Sequence, residues 1–413
     1  MDFKRALPWI PAAYLAVVVA CHPSAPGQVR QPGIAHERIH AASEVQNVAS
    51  GELGPGVPPF WVRPGYRVDL VASIGNARFI EFNSNGDLYV ARPLSGIIST
   101  FRLKNGQYTQ IGDFVTGHHG AQSMCWKNGW LWFTTDNNVC KARDTDGDGV
   151  ADEVVDVTPP GSLPSTGHWW HGILVDDRAF YVTVGDGGNV SEDPGDRERI
   201  WKYSIDGEDR EAFATGLRNT EKLRFRPGTH EIWGWDHGSD SFGNPVGDRQ
   251  GLQPITDEFP PDKFNHYVRD GFYGHPYFAN GHVPRYEYMN RPDLIDLASK
   301  TIVPAWNSGA HWAPDGWTFY TGDALPSDHK GDAFVAFHGS WNRTRKAGYR
   351  IQRILFDQVS GEPYGSLMIV GTLGPGEKVL ARPTDVTQAP DGTLFFAEDL
   401  PGRIFRISRA GKS

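Results

Sequence analysis

Methionine and cysteine are scarce in this chain, with four and three respectively among 413 residues, and no apolar stretch runs unbroken for the length of a membrane helix. The lack of such runs excludes a bundle of membrane-spanning helices. Basic clusters are missing too: the net charge is −9, the isoelectric point lies near 5.9, and no segment gathers Lys and Arg on one continuous face. Duplex DNA or RNA needs such a footprint, so nucleic acid is excluded as a partner. What the chain has instead is 48 Gly, 30 Pro and 14 Trp, a vocabulary of turns and aromatic strands. Composition predicts an all-β fold. The length exceeds that of a usual single domain, but folds built from repeats reach this size around one axis.

The first residues read as an address. Lys4 and Arg5 precede an apolar stretch from Ala6 to Ala20 that Pro8 and Pro11 interrupt, the pattern of a signal peptide over residues 1–20. Val18-Val19-Ala20-Cys21 resembles the bacterial lipobox, which makes Cys21 the expected lipidation site; an ordinary signal peptide with an incidental Cys is the alternative. From His22 to Pro58 the chain is rich in Pro, Gly and Ala without sustained periodicity, as expected of a flexible tether, assigned to residues 21–56. The folded domain is assigned to 57–413. Together these features predict an exported protein, periplasmic or on the cell surface, anchored to a membrane through its lipid alone. Cys125 and Cys140 then remain, in a compartment where disulfides persist. The strand pattern puts a third strand between them, roughly 9–10 Å of separation against the ~7 Å a disulfide tolerates, so two unpaired thiols are expected.

One phrase recurs through the body: an apolar strand, a turn with Asn, Asp or Gly, then an aromatic-rich strand. It occurs at Phe82–Val90, at Trp126–Phe133, near Val175 with Phe180, near Phe225 with Trp233, near Ala313 with Asp315-Gly316-Trp317, and near Ala389 with Asp391-Gly392. Asn-Gly and Asp-Gly supply the positive φ that a tight hairpin needs. Six hairpins at intervals of several tens of residues predict a six-bladed β-propeller, with Gly402–Ile407 as a strand that closes the ring. A β-sandwich is the competing arrangement, because strand spacing alone does not separate the two. The spacing stretches before the fifth and sixth copies, mainly between Ser239 and Thr301, and long insertions of this kind usually carry function.

An acidic segment, Asp144-Thr145-Asp146-Gly147-Asp148-Gly149-Val150-Ala151-Asp152-Glu153, imitates the start of an EF-hand loop, but Val155 stands where the bidentate Glu belongs. Asp144, Asp146, Asp148 and Asp152 are candidate ligands for a structural calcium, and a solvated acidic hairpin turn is the plainer reading.

Four further segments, in order, resemble the soluble quinoprotein sugar dehydrogenases, closest to their sorbosone and aldose sugar dehydrogenase branch. They are Phe213–Asn219, which carries Gly-Leu-Arg-Asn; Gly271–Tyr277, with His275 where Trp is usual in a Tyr-Gly-Trp-Pro loop; Gly331–Arg343; and Arg382–Val386. The likeness runs from about Pro58 to Ile407. It implies pyrroloquinoline quinone and calcium as cofactors. Arg218 would polarise the reacting quinone carbonyl with Asn219 beside it, and Arg343 and Arg382 would face the cofactor. Gly274 and Pro276 would offer backbone carbonyls to calcium. Thr384 stands where a second arginine is expected. For the general base the resemblance points to His168, in Gly167-His168-Trp169-Trp170-His171-Gly172, with His171 as the rival. An imidazole titrates near 6.5, close enough to working pH to accept a proton. Some relatives carry Asp immediately before this His, whereas this chain has Gly167, so no carboxylate partner is identified.

The expected activity is oxidation of a sugar or sugar-derived aldehyde by hydride transfer to the quinone, with electrons passing to a quinone or cytochrome acceptor. Two other readings stay open. One is a calcium-dependent lactonase-like hydrolase, which needs Asp, Asn or Glu side chains converging on an axial metal. The other is a non-catalytic propeller that binds glycans or proteins.

Overall fold

The computed structural model describes residues 50–193, 195–243 and 253–411. Cys21, the expected signal peptide and most of the expected tether lie outside them. The described strands form six main sheets of four or five strands, which succeed one another around a ring as the blades of a propeller. Their first strands, Ile80–Phe82, Met124–Lys127, Ile173–Val175, Leu223–Phe225, Pro314–Phe319 and Pro383–Gln388, contact one another in succession and surround the axis. Gln253–Thr256 and Leu294–Lys300 are short α-helices, and no described helix is long and apolar enough to cross a membrane.

Turn chemistry explains most of the hairpins. Asn128 and Gly129, both at positive φ, form the two-residue turn of blade two; Gly86 and Gly392, at φ 89° and 82°, serve blades one and six. Blade five departs from the expectation. Asp315 and Gly316 lie inside its first strand, and the link to the next strand runs from Tyr320 to Asp332. Gly316 is required by packing, because a Cβ there would come within 2.1 Å of Asp385 Oδ1 on blade six.

Closure is by a shared ladder. Arg403–Arg409 pairs antiparallel with Tyr66–Ser73, so the N-terminal end supplies the fourth strand of the last blade. Trp61–Val62 adds to blade five, and Glu52–Leu53 pairs with Tyr66–Ser73, so the body takes in residues ahead of the expected boundary at 57. Cys125 and Cys140 lie on the first and third strands of blade two and are unpaired, as the strand reading expected. Burial pushes the Cys125 thiol up to about 11.

Aromatic side chains fill the spaces between blades. Between blades four and five, Trp233, Trp235, Phe264, Trp317, Phe319 and Phe356 pack in one cluster, with Trp235 stacked on Phe264 at 4.7 Å and Phe264 edge-on to Trp317 at 4.9 Å. Each such burial contributes roughly 1.5–3 kcal/mol. The axis is charged instead. At successive levels Arg78 bridges Glu221 and Asp315, Lys222 bonds Asp385 at 2.6 Å, and Arg224 bonds Glu81 at 2.7 Å. These pairs cross the channel, and the loops leading into blades three, four and five converge at one end of it.

Candidate functional site

At that end a cleft of about 140 Å3 is lined by His168, Arg218, Asn219, His237, Gly238, Asp240, Asp262, His311, Ala313 and Trp341. The structure thus brings together three of the residues picked from the sequence. His168 sits in the loop before blade three, where Gly167 turns at φ 66° with no room for a side chain against Gly187. Its Nδ1 lies 2.9 Å from the main-chain carbonyl of Asp186. A carbonyl only accepts, so Nδ1 carries the proton and Nε2 presents its lone pair. The partner of the His168 ring is therefore a backbone carbonyl and not a carboxylate. Burial, reinforced by the charge of Arg218, brings His168 down to about 4, so the ring is neutral at pH 7.

His171 has a different surrounding. It is buried, with Nδ1 2.9 Å from the Thr183 carbonyl and Nε2 3.2 Å from the Pro164 carbonyl. Both ring nitrogens face main-chain acceptors, and neither looks into the cleft.

The Gly-Leu-Arg-Asn turn is clamped by a residue the sequence did not single out. Asp236 Oδ1 accepts from the main-chain N–H groups of Arg218 and Asn219 at 2.9 and 2.8 Å, and Lys263 balances its charge at 2.9 Å. The Arg218 guanidinium is itself held: Nε donates to the Asn189 carbonyl and Nη2 to Asn189 Oδ1 and Asp240 Oδ2. Asn219 donates to Glu221 Oε1, while its own Oδ1 is buried without a hydrogen-bond partner among the described residues. Asp262 accepts from the N–H groups of Gly238 and Ala313, and burial pushes its carboxyl above the usual range. Trp341, 78% exposed, stands at the mouth.

Other candidates fall elsewhere. Arg343 donates to the carbonyls of Asp257 and Ala310 and lines a separate groove of about 590 Å3 with Trp61 and Trp312. Arg382 lies within 3.0 Å of His338, which also contacts Asp399 at 3.0 Å. Thr384, in place of the second arginine, is buried and donates to the Arg78 carbonyl at 2.6 Å. Gly274 and Pro276 are buried and do not line the cleft, and the Gly274 carbonyl already accepts from the N–H of Phe278 at 2.8 Å. The acidic turn joins the third and fourth strands of blade two. It gathers Asp144, Asp146 and Asp152, whereas Asp148 caps the N–H of Val150 and stands outside that group.

The axial network is the feature that sequence reasoning missed. Arg78 Nη2 donates to Glu221 Oε2 at 3.1 Å and Asp315 Oδ2 at 2.9 Å, Nε donates to Gln122, and the guanidinium lies over the Trp170 ring at 4.8 Å. Each residue comes from a different blade at or just before its first strand. That recurring position is the signal that would have found them.

With this geometry in view, the chain can be set beside known proteins. A TrAA12-like family profile matches residues 297–410. The holo PQQ domain of pyranose dehydrogenase from Coprinopsis cinerea superimposes with a TM-score of 0.73 at 17% identity, covering 87% of this chain and all of that one. The propeller is common to both. A calcium structure of a Trichoderma reesei protein of carbohydrate-active enzyme family AA12 gives 0.70 at 19% identity, over 87% of this chain and 99% of that one. The PQQ-bound aldose sugar dehydrogenase of Streptomyces coelicolor gives 0.56 at 15%, over 84% and 99%. The structural likeness shows the propeller fold in common with these proteins. An uncharacterized protein of Borreliella burgdorferi is 28% identical over 239 residues, which span 57% of this chain and 59% of that protein.

The cleft can be tested against the quinone on its own donors. The Arg218 guanidinium suits carboxylate and quinone oxygens, the His168 Nε2 lone pair suits an incoming hydroxyl, and Trp341 offers an exposed indole face. At about 140 Å3 the cleft is small beside the roughly 300–1,000 Å3 of ordinary small-molecule sites, so a ligand of the quinone's size would extend beyond it. These residues fit the quinone. Gly274 and Pro276 do not fit a calcium shared with it, since neither reaches the cleft.

Proposed function

We propose that this protein oxidises a sugar or sugar-derived aldehyde, of the sorbosone or aldose kind, with pyrroloquinoline quinone held in the His168–Arg218 cleft. The observation that carries the reading is His168 fixed through Nδ1 on the Asp186 carbonyl, leaving a neutral Nε2 beside Arg218. Bound quinone would supply the hydride acceptor. His168 Nε2 would take the proton of the substrate hydroxyl as the C–H hydride departs, yielding a lactone from a cyclic aldose or an acid from a hydrated aldehyde. Arg218, braced by Asn189 and Asp240, would hold an oxygen on which negative charge develops, and its bracing means that little reorganisation is needed. Electrons would leave to a quinone or cytochrome acceptor, with the protein exported and anchored through Cys21.

The hydrolase reading has less support. Carboxylates do converge on the axis, but the Arg78 guanidinium already occupies the space between Glu221 and Asp315 that a metal would take. The test is to add pyrroloquinoline quinone to the purified protein and follow its absorbance, together with dye reduction across a panel of aldoses and aldehydes. Saturable binding with cofactor-dependent dye reduction is expected. Lactone hydrolysis without the quinone, or glycan binding with no turnover under any condition, would favour one of the other two readings.

A further inference from the structure

Beneath the cleft, three side chains meet from three chain segments. Asp186 follows the second strand of blade three, Glu198 precedes the third, and His275 arrives on the insertion of blade four. All are buried, and the ligand atoms they offer lie within 4.8 Å of one another. Glu198 stands out. It is only 8% exposed; Oε1 receives a single long bond, 3.3 Å from the Asp193 N–H, and Oε2 has no hydrogen-bond partner among the described residues. Its backbone sits at φ 59°, a left-handed conformation that Glu avoids and that persists only where surroundings impose it. Glu198 and His275 line a cavity of about 110 Å3 together with Glu192, Asp193, Arg197 and Arg199, enough for an ion and a few waters, and Asp186 lies 2.7 Å from His275 Nε2.

We propose that Asp186, Glu198 and His275 bind a divalent cation of borderline softness, zinc or manganese, which ties blade three to the insertion of blade four. Two carboxylates and one imidazole are the donor set such ions accept, whereas calcium takes oxygen alone. The presence of His at 275 is what makes the set. Binding exchanges the 2.7 Å bond between His275 Nε2 and Asp186 Oδ2 for bonds to the ion, and the imidazole proton moves to Nδ1. The ion would lie on the residue whose main-chain carbonyl holds His168.

Cation binding is read on the protein alone, so its outcome is separate from that of the oxidation assay. The starting protein carries Asp144→Asn and Asp152→Asn, which remove the exposed acidic turn as a competing site, and is dialysed against chelator. Titration with zinc chloride, manganese chloride or calcium chloride, followed by calorimetry and melting, should show one equivalent of zinc or manganese bound and a raised midpoint. Glu198→Gln and His275→Gln should each weaken binding at least about tenfold. Absence of stoichiometric zinc and manganese binding, binding unchanged in both variants, or binding of calcium alone overturns the proposal. If either variant fails to fold, the zinc-edge X-ray absorption spectrum of the parent decides: an oxygen shell with one imidazole supports the site, and a shell with sulfur or without imidazole contradicts it.

Discussion

Replacing Arg78 by Met would remove the one cation that Glu221, Asp315 and Asp399 share, at 3.1, 2.9 and 3.7 Å, while keeping an unbranched stem. Burial works to raise Glu221, and Arg78 overrides it and holds that carboxyl below its usual range. For Asp315 burial prevails, helped by the charges of Glu221 and Asp399, and the carboxyl is pushed up. Breaking a buried pair from one side costs about 3–5 kcal/mol, because the opposite charge is left uncompensated. In a body of this size that lowers the melting midpoint by roughly 4–7 °C at pH 7.5. The sign with pH follows from linkage. Without Arg78 the facing carboxylates have folded pKa values above their unfolded ones, so their stability is present at low pH and lost as pH rises. The deficit should therefore be largest at pH 7.5 and shrink toward pH 4.5. Tryptophan fluorescence melts of both proteins across this range measure it. A midpoint within about 1 °C of the parent at pH 7.5, or a deficit that grows on acidification, would refute the assignment of Arg78 as the axial counter-ion.

Three other outcomes follow from the same contacts. His171→Ala should cost about 1–3 kcal/mol in urea unfolding, since the carbonyl that takes the single N–H of the neutral ring loses its donor, while turnover per folded molecule is preserved; a large loss of turnover in a folded variant would move the base to His171. Burial brings His171 to about 4, below an unfolded value near 6.5, so stability should fall as pH drops from 6.5 to 4 by roughly 3 kcal/mol from this residue. Equal urea midpoints at pH 7 and 4.5 would contradict that. Cys21→Ser should shift the protein from membranes to the soluble fraction with an unchanged melting curve, and continued membrane retention would show that Cys21 is not the anchor.

The fold was legible because hairpin chemistry is local. Asn128-Gly129 and Asp391-Gly392 announce turns through backbone conformation alone, and the apolar strands beside them have the period of a sheet. Asp315-Gly316 uses the same letters for a tertiary reason: Gly316 makes room for Asp385 of the neighbouring blade, which no local reading reveals. The site was half legible. Arg218 and His168 could be placed by resemblance, and the fold brings them to one cleft. Asp236, Asn189 and Asp240, which orient Arg218, lie 18, 29 and 22 residues away in sequence and have no spacing that marks them. The axial network was hidden because each blade contributes one residue. Arg343 was misplaced relative to the cleft by a matter of direction: the same loop sends Trp341 to its mouth and Arg343 to the groove behind.

The most direct measurement is the turnover of His168→Ala loaded with pyrroloquinoline quinone, beside its quinone affinity. His168 should contribute as a positioned proton acceptor and hold nothing else in place, since its Nε2 has no protein partner among the described residues. Quinone binding should therefore stay within a few-fold of the parent while dye-linked aldose oxidation falls by about two to four orders of magnitude. The residual rate should lose the acidic limb of the pH profile, which reports protonation of the imidazole. Undiminished oxidation by a folded, quinone-loaded His168→Ala protein would contradict the assignment of this cleft as the oxidising site.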